Sequence, residues 1–176
     1  NWKVTPQDIS RGNSTPLKQV LNQLPQGRKP DFYFWLETGL SGIPTDLQEH
    51  DLPKVCYLID THINYEKHVD IANNFDFIFL AQTAYVQKMT DAGIKNVFWL
   101  PLACDPDIHG KVEHEKKWDV GFVGTIPEAQ NRRKILLERI GSRFNLSCER
   151  KFMDEMAEHY SRSKIVFNNV INNDLN

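Results

Sequence analysis

Three short stretches of the chain carry side chains able to do chemistry. Asp60-Thr61-His62 follows the apolar run KVCYLI at 54–59. A carboxylate and an imidazole at the carboxyl end of a strand can bind hydroxyl groups or relay a proton. The same residues allow a plainer role, with Asp60 capping the next helix and His62 solvated. Gly124-Thr125 closes the run WDVGFV, and Asn131, Arg132 and Arg133 stand early in the helix expected to follow. Backbone N–H groups at a helix start and an arginine fork both suit diphosphate oxygens. A tight strand-to-helix turn with exposed arginines explains the same residues, and neither a dinucleotide fingerprint nor a Walker loop is present. Asp105-Pro106-Asp107, with His109 two residues on, has the carboxylate spacing of a divalent-metal site. Asp105 as a helix N-cap, with Pro106 at the first helical position, accounts for them without metal, and none is assigned. His62 and His68 are six apart, too far round a helix for a metal pair.

These stretches need elements to hold them. The pattern predicts strands at 32–36, 54–59, 75–80 and 97–102, with helices at 16–24, 64–73 and 84–92 between them. The strand runs are continuously apolar, as in parallel sheets buried on both faces. Gly93 stands where a left-handed residue ends a helix. Residues 111–117, KVEHEKK within a charged stretch, have no apolar pattern and read as a linker. Beyond it the pattern predicts strands at 118–123, 144–148 and 164–170, and helices at 128–140 and 152–161, with Gly141 as a C-cap. The expected organisation is a first lobe at 1–110, a linker at 111–117 and a second, incomplete lobe at 118–176. The fold class is α/β, with two Rossmann-like, doubly wound parallel sheets.

Composition narrows the function. The chain has 176 residues, 40% hydrophobic and 25% charged, with a formal net charge of -2. That balance gives no general attraction to nucleic acid or anionic membrane. No apolar run approaches the roughly 20 residues of a membrane-spanning helix. The three cysteines are odd in number and far apart, which fits a reducing cytoplasm better than a disulfide framework. Trp35 and Trp99 are expected in cores or rims.

Several segments together carry a family likeness. FDFIFLAQTAYVQKMTDAGIKNVFWLPLACDPDIH resembles the end of the N-terminal lobe of group 1 glycosyltransferases of the two-lobed (GT-B) type. WDVGFVGTIPEAQNRRKILLERI resembles the first strand, glycine turn and helix of their nucleotide-sugar-binding lobe. YLIDTHINYEKH and SKIVFNNVINNDLN are similar to the spore-maturation-protein-like branch. The likeness covers residues 31–176.

The resemblance implies transfer of a sugar from a nucleotide-diphosphate sugar to an unknown acceptor, without a bound metal or other cofactor. His62 matches the position where relatives often carry an active-site histidine, with Asp60 beside it. Gly124 matches the glycine that approaches the donor phosphates. Relatives often have Arg directly after it, where this chain has Thr125, so Arg132 or Arg133 would supply the charge. Asn168 and Asn169 match the branch's "F-N" loop. The family's ribose and donor-sugar contacts would follow Asn176, so the resemblance implies a fragment that does not turn over substrate alone. The alternative is a non-catalytic sugar- or nucleotide-binding module. A flavodoxin-like signalling domain ranks last, since its phosphoacceptor cluster and lysine loop are not evident.

Overall fold

The computed structural model describes residues 15–37, 42–126 and 131–169. The chain divides into two compact units between Leu102 and Ala103.

The first unit is a parallel sheet of β1 (Tyr33–Leu36), β2 (Lys54–Leu58), β3 (Phe77–Leu80) and β4 (Val97–Trp99), ordered β1-β2-β3-β4. Helices α2 (Tyr65–Ala72) and α3 (Ala84–Asp91) make the crossovers, and α1 (Leu17–Leu21) precedes β1. Alternate strand residues Trp35, Cys56, Leu58, Ile78 and Leu80 pack with Leu17, Ile71, Ala72, Met89 and Ile94 into the core. Successive right-handed crossovers in one direction put their helices on one face. The other face carries Phe34, Leu36, Phe77 and Phe98, 41–48% exposed. The continuous apolar runs predicted cover on both faces; among the described residues only one is covered, and the double winding expected of this sheet is not seen.

The predicted elements are present among the described residues with shifted ends; residues 128–130 and 170, the start of one predicted helix and the end of the last predicted strand, lie outside the described residues. Phe75 lies before β3, because the N–H of Phe75 closes the end of α2 on the Ala72 carbonyl at 3.0 Å. Its ring packs instead beside Tyr33 and Trp35. Gly93 has φ 89°, the left-handed conformation expected at that position. Helix α1 is too short to be stable alone. Its first two N–H groups, Leu17 and Lys18, donate to the Asp46 carboxylate at 2.6 and 2.9 Å.

The second unit is a parallel sheet of β5 (Trp118–Val123), β6 (Leu146–Glu149) and β7 (Ser163–Val166), in the order β6-β5-β7. Helix α5 (Arg132–Gly141) links β5 to β6, and α6 (Met153–Ser161) links β6 to β7. Gly141 is the last helical residue and Ser142 the C-cap, one position later than predicted. The charged stretch is not a free linker. Residues 103–117 belong to the second unit, where the short helix α4 (Pro106–His109) packs on α6. Lys116 Nζ donates to the Ser161 and Ser163 carbonyls at 2.8 Å each, and Lys117 N–H to Arg162 O at 2.7 Å. A helix C-terminus lacks partners for its last carbonyls, and a lysine supplies both the donors and the favourable charge. No described helix is long and apolar enough to cross a membrane.

At the centre of this unit Gly121, on β5, lets the end of α6 and the start of β7 pack closely against β5. A Cβ there would overlap Ser163 Oγ and come within 2.8 Å of Ser163 Cβ. His159 is buried nearby, its ring tilted 31° against Trp118 with centroids 4.5 Å apart, and burial holds its pKa below the ordinary imidazole value.

Gly121→Ala is expected to destabilise the second unit by about 2 kcal/mol or more, read as a lower urea midpoint. Acid should act on the first unit through Asp46, whose pKa falls from 3.8 to about 2, chiefly through the Lys18 N–H. A depressed carboxyl contributes stability above its unfolded value, and that contribution is lost as pH falls through the folded value. Thermal melts across acidic pH should therefore fall less steeply for Asp46→Ala than for the parent protein.

Candidate functional site

Two groups of polar residues collect at strand carboxyl ends, one in each unit. In the first unit each of three strands ends beside a buried polar side chain. Glu37 follows β1, Thr61 lies beyond β2, Gln82 lies beyond β3, and His68 enters from α2; none is more than 7% exposed. Glu37 N–H donates to Tyr57 O at 3.0 Å, continuing the strand pairing. Its carboxylate accepts the Ile59 N–H at 3.2 Å and lies 3.1 Å from His68 Nε2. That ring nitrogen lies close to the carboxylate but forms no aligned hydrogen bond with it. His68 Nδ1 lies 3.1 Å from Thr61 Oγ1, and Thr61 N–H donates to Gln82 Oε1 at 3.1 Å.

The order acid, imidazole, hydroxyl is that of a nucleophilic triad. Thr61 and His68 are both fully buried, so no substrate reaches the hydroxyl. The network instead braces the turn after β2 from both neighbouring strands. Within that turn Asp60 has φ 56°, a conformation that costs an L-residue about 1–2 kcal/mol. Its carbonyl accepts the Ile63 and Asn64 N–H groups at 2.9 and 3.3 Å. The capping role considered for Asp60 does not hold, because Asn64 occupies the N-cap of α2. His62 is half-buried, with an enclosed and unpartnered Nδ1. Such outliers, held by surrounding structure, concentrate at functional sites.

Glu37, His68 and Gln82 were not among the predicted site residues. Their signal is a single polar residue at the end of a continuous apolar run, and for His68 a histidine on the apolar side of α2.

In the second unit β5 has β6 on one side and β7 on the other, so consecutive connections leave in opposite directions. Ligands of open α/β sheets bind in the crevice this reversal creates at the carboxyl ends of the strands. Gly124 lies there, its N–H donating to Glu149 O at 3.0 Å. A Cβ at Gly124 would meet Phe122 Cζ at 2.9 Å. Arg133 crosses the reversal point, donating through Nη1 to Thr125 O and through Nη2 to Asn169 O, both at 2.8 Å. Its guanidinium carbon stands 5.4 Å from the centre of the Phe122 ring, and its Nε is enclosed without a partner. Asn131 caps α5, accepting the Lys134 N–H at 3.0 Å.

Gly124, Thr125, Arg133, Asn168 and Asn169 thus meet at the ends of β5 and β7. Arg132 is exposed in the first turn of α5 and Asn168 is exposed after β7. Arg133 differs from the sequence expectation in that two of its N–H groups already serve backbone carbonyls. Asp105 accepts the Asp107 N–H at 2.9 Å and caps α4, the turn role considered for it.

His68→Ala should remove the ring packed beside the Glu37 carboxylate and the Thr61 hydroxyl, leaving both buried groups short of a partner. The expected loss is about 3 kcal/mol in urea unfolding, with a smaller loss for Glu37→Gln, which keeps an oxygen for the Ile59 N–H.

Compared with known protein families, curated proteins and solved structures, the chain matches none.

Proposed function

We propose that the chain is part of a glycosyltransferase of the two-lobed type, whose full-length parent transfers a sugar from a nucleotide-diphosphate sugar to an acceptor. The observation that carries this reading is the meeting of Gly124, Thr125, Arg133 and the Asn168–Asn169 loop where the second sheet reverses its strand order. The first unit then serves the acceptor and the second the donor.

Charge develops on the departing diphosphate as the glycosidic bond breaks. The N–H groups at the start of α5 and the remaining N–H groups of Arg133 supply fixed positive potential for it. Held by two carbonyls, the guanidinium needs little reorganisation when the charge appears. His62, with a ring nitrogen lacking a partner, orients the acceptor hydroxyl, and the strained Asp60 turn sets its position.

A second reading, a binding module without transfer chemistry, rests on one observation. Arg133 is already engaged by the Thr125 and Asn169 carbonyls, and Thr125 itself brings no charge.

Calorimetric titration with UDP, GDP, ADP, CDP and their glucose conjugates tests both. Binding of at least one is expected, weakened about tenfold or more in Arg133→Ala. In the full-length parent, His62→Ala should leave nucleotide binding unchanged while lowering sugar transfer. No binding by any nucleotide at millimolar concentration would sink both readings, and nucleotide binding with no transfer by the full-length parent to any acceptor favours the module.

A further inference from the structure

The second unit holds a cavity of about 320 Å³ beside the end of α6 and the strand β7. That is the lower end of the roughly 300–1,000 Å³ range of small-molecule sites. Lys111, Lys116 and Lys164 line it together with His109, and no carboxylate does. The chain as a whole has a formal net charge of -2, so the cavity reverses the sign locally. Glu113 and Glu115, from the same charged stretch, lie outside the lining, and the Asp119 carboxylate is held by Lys164 Nζ at 2.7 Å. Cations gathered around one concave surface raise the local concentration of anions.

Two of the lining groups are fixed before any ligand arrives. Lys116 Nζ gives two of its three N–H groups to the Ser161 and Ser163 carbonyls at 2.8 Å each, which leaves one. Ordering a lysine side chain on binding costs affinity, and folding has already ordered this one. Ser161 is 6% exposed, and its Oγ accepts the Val112 N–H at 2.9 Å. The Ser161 O–H itself has no acceptor among the described residues, although a buried hydroxyl normally finds one. Lys111 is exposed and has no described partner, so its ammonium is free to reach a ligand. Ala157 and Val166 add an apolar patch to the same lining, suited to a carbon skeleton.

We infer that this cavity binds a small multivalent oxyanion, held by Lys116, Lys111 and the Ser161 hydroxyl. A phosphate ester and a di- or tricarboxylate share the chemistry that the site recognises: several acceptor oxygens carrying more than one negative charge. Lys164 contributes less, because Asp119 offsets its charge. Gly124 and Arg133 do not line the cavity, so the site is separate from the strand-order reversal. It does not rest on the glycosyltransferase reading.

The test is calorimetric titration of the protein with inorganic phosphate, glycerol 3-phosphate and citrate, at an ionic strength held constant with sodium chloride. Backbone amide resonances, followed in the same titrations, locate the site. At least one probe is expected to bind at about millimolar concentration or below, shifting the amides of Val112, Ser161 and Lys164 and leaving those of Gly124 and Thr125 in place. Tighter glycerol 3-phosphate marks a phosphate ester as the ligand class and tighter citrate a polycarboxylate; either supports the inference. Lys116→Gln also removes a cap of α6, so the decisive variant is Lys111→Gln, at an exposed position without a described partner. It should weaken binding about fivefold at an unchanged melting temperature, whereas Lys111→Arg, which keeps the charge, should restore it. No binding of any probe at about 10 mM overturns the inference. So does Lys111→Gln binding like the parent protein. Loss of binding in Arg133→Ala but not in Lys111→Gln would place the anion at the strand-order reversal and overturn it too, with the glycosyltransferase reading left standing.

Discussion

Every strand pair in both sheets is parallel, and that constraint arranges the rest. After a parallel strand the chain must travel back the strand's full length before it can pair again, so each strand is followed by a crossover. All strands of one sheet then end on the same edge. Side chains far apart in sequence meet there without any local motif bringing them together. Glu37, Thr61 and Gln82 become neighbours because β1, β2 and β3 stop side by side, and Thr125 and Asn169 because β5 and β7 do. The first sheet has four strands and the second three, and they differ also in how the order proceeds. The first advances in one direction and gathers a closed polar network, whereas the second reverses around β5 and leaves a crevice.

The closed network shows how a buried polar group is tolerated. Glu37 is placed among apolar strand ends, where an uncompensated carboxylate would cost several kcal/mol. The Ile59 N–H and the close His68 ring offset that cost, while the Gln82 amide oxygen accepts the Thr61 N–H. In return the turn after β2 has little freedom. A left-handed Asp60 survives there because both neighbouring strands fix the backbone on either side of it.

How much of this the sequence revealed follows from how local each interaction is. Strand β5 was read at its true limits, because an apolar run bounded by charge and by Gly124 is a local signal. Both candidate sites lie at strand ends flagged by Asp60-Thr61-His62 and Gly124-Thr125. The charged residues 111–117 were misread as a linker because their partners, the carbonyls of Ser161, Arg162 and Ser163, lie more than forty residues away. Gln82 carries no chemistry of its own and gains a role only from the Thr61 N–H across a strand. Strand order is likewise absent from local patterning. The same continuous apolar runs serve a sheet covered on one face or on both, so the bare face bearing Phe34, Leu36, Phe77 and Phe98 could not be anticipated.

That bare face ties the first unit's stability to its surroundings. Anything that binds the folded sheet there and not the unfolded chain stabilises the unit in proportion to the logarithm of its concentration. Its melting temperature is therefore a property of the solution as much as of the fold. Such a ligand would cover three phenyl rings and one leucine, independently of either candidate site.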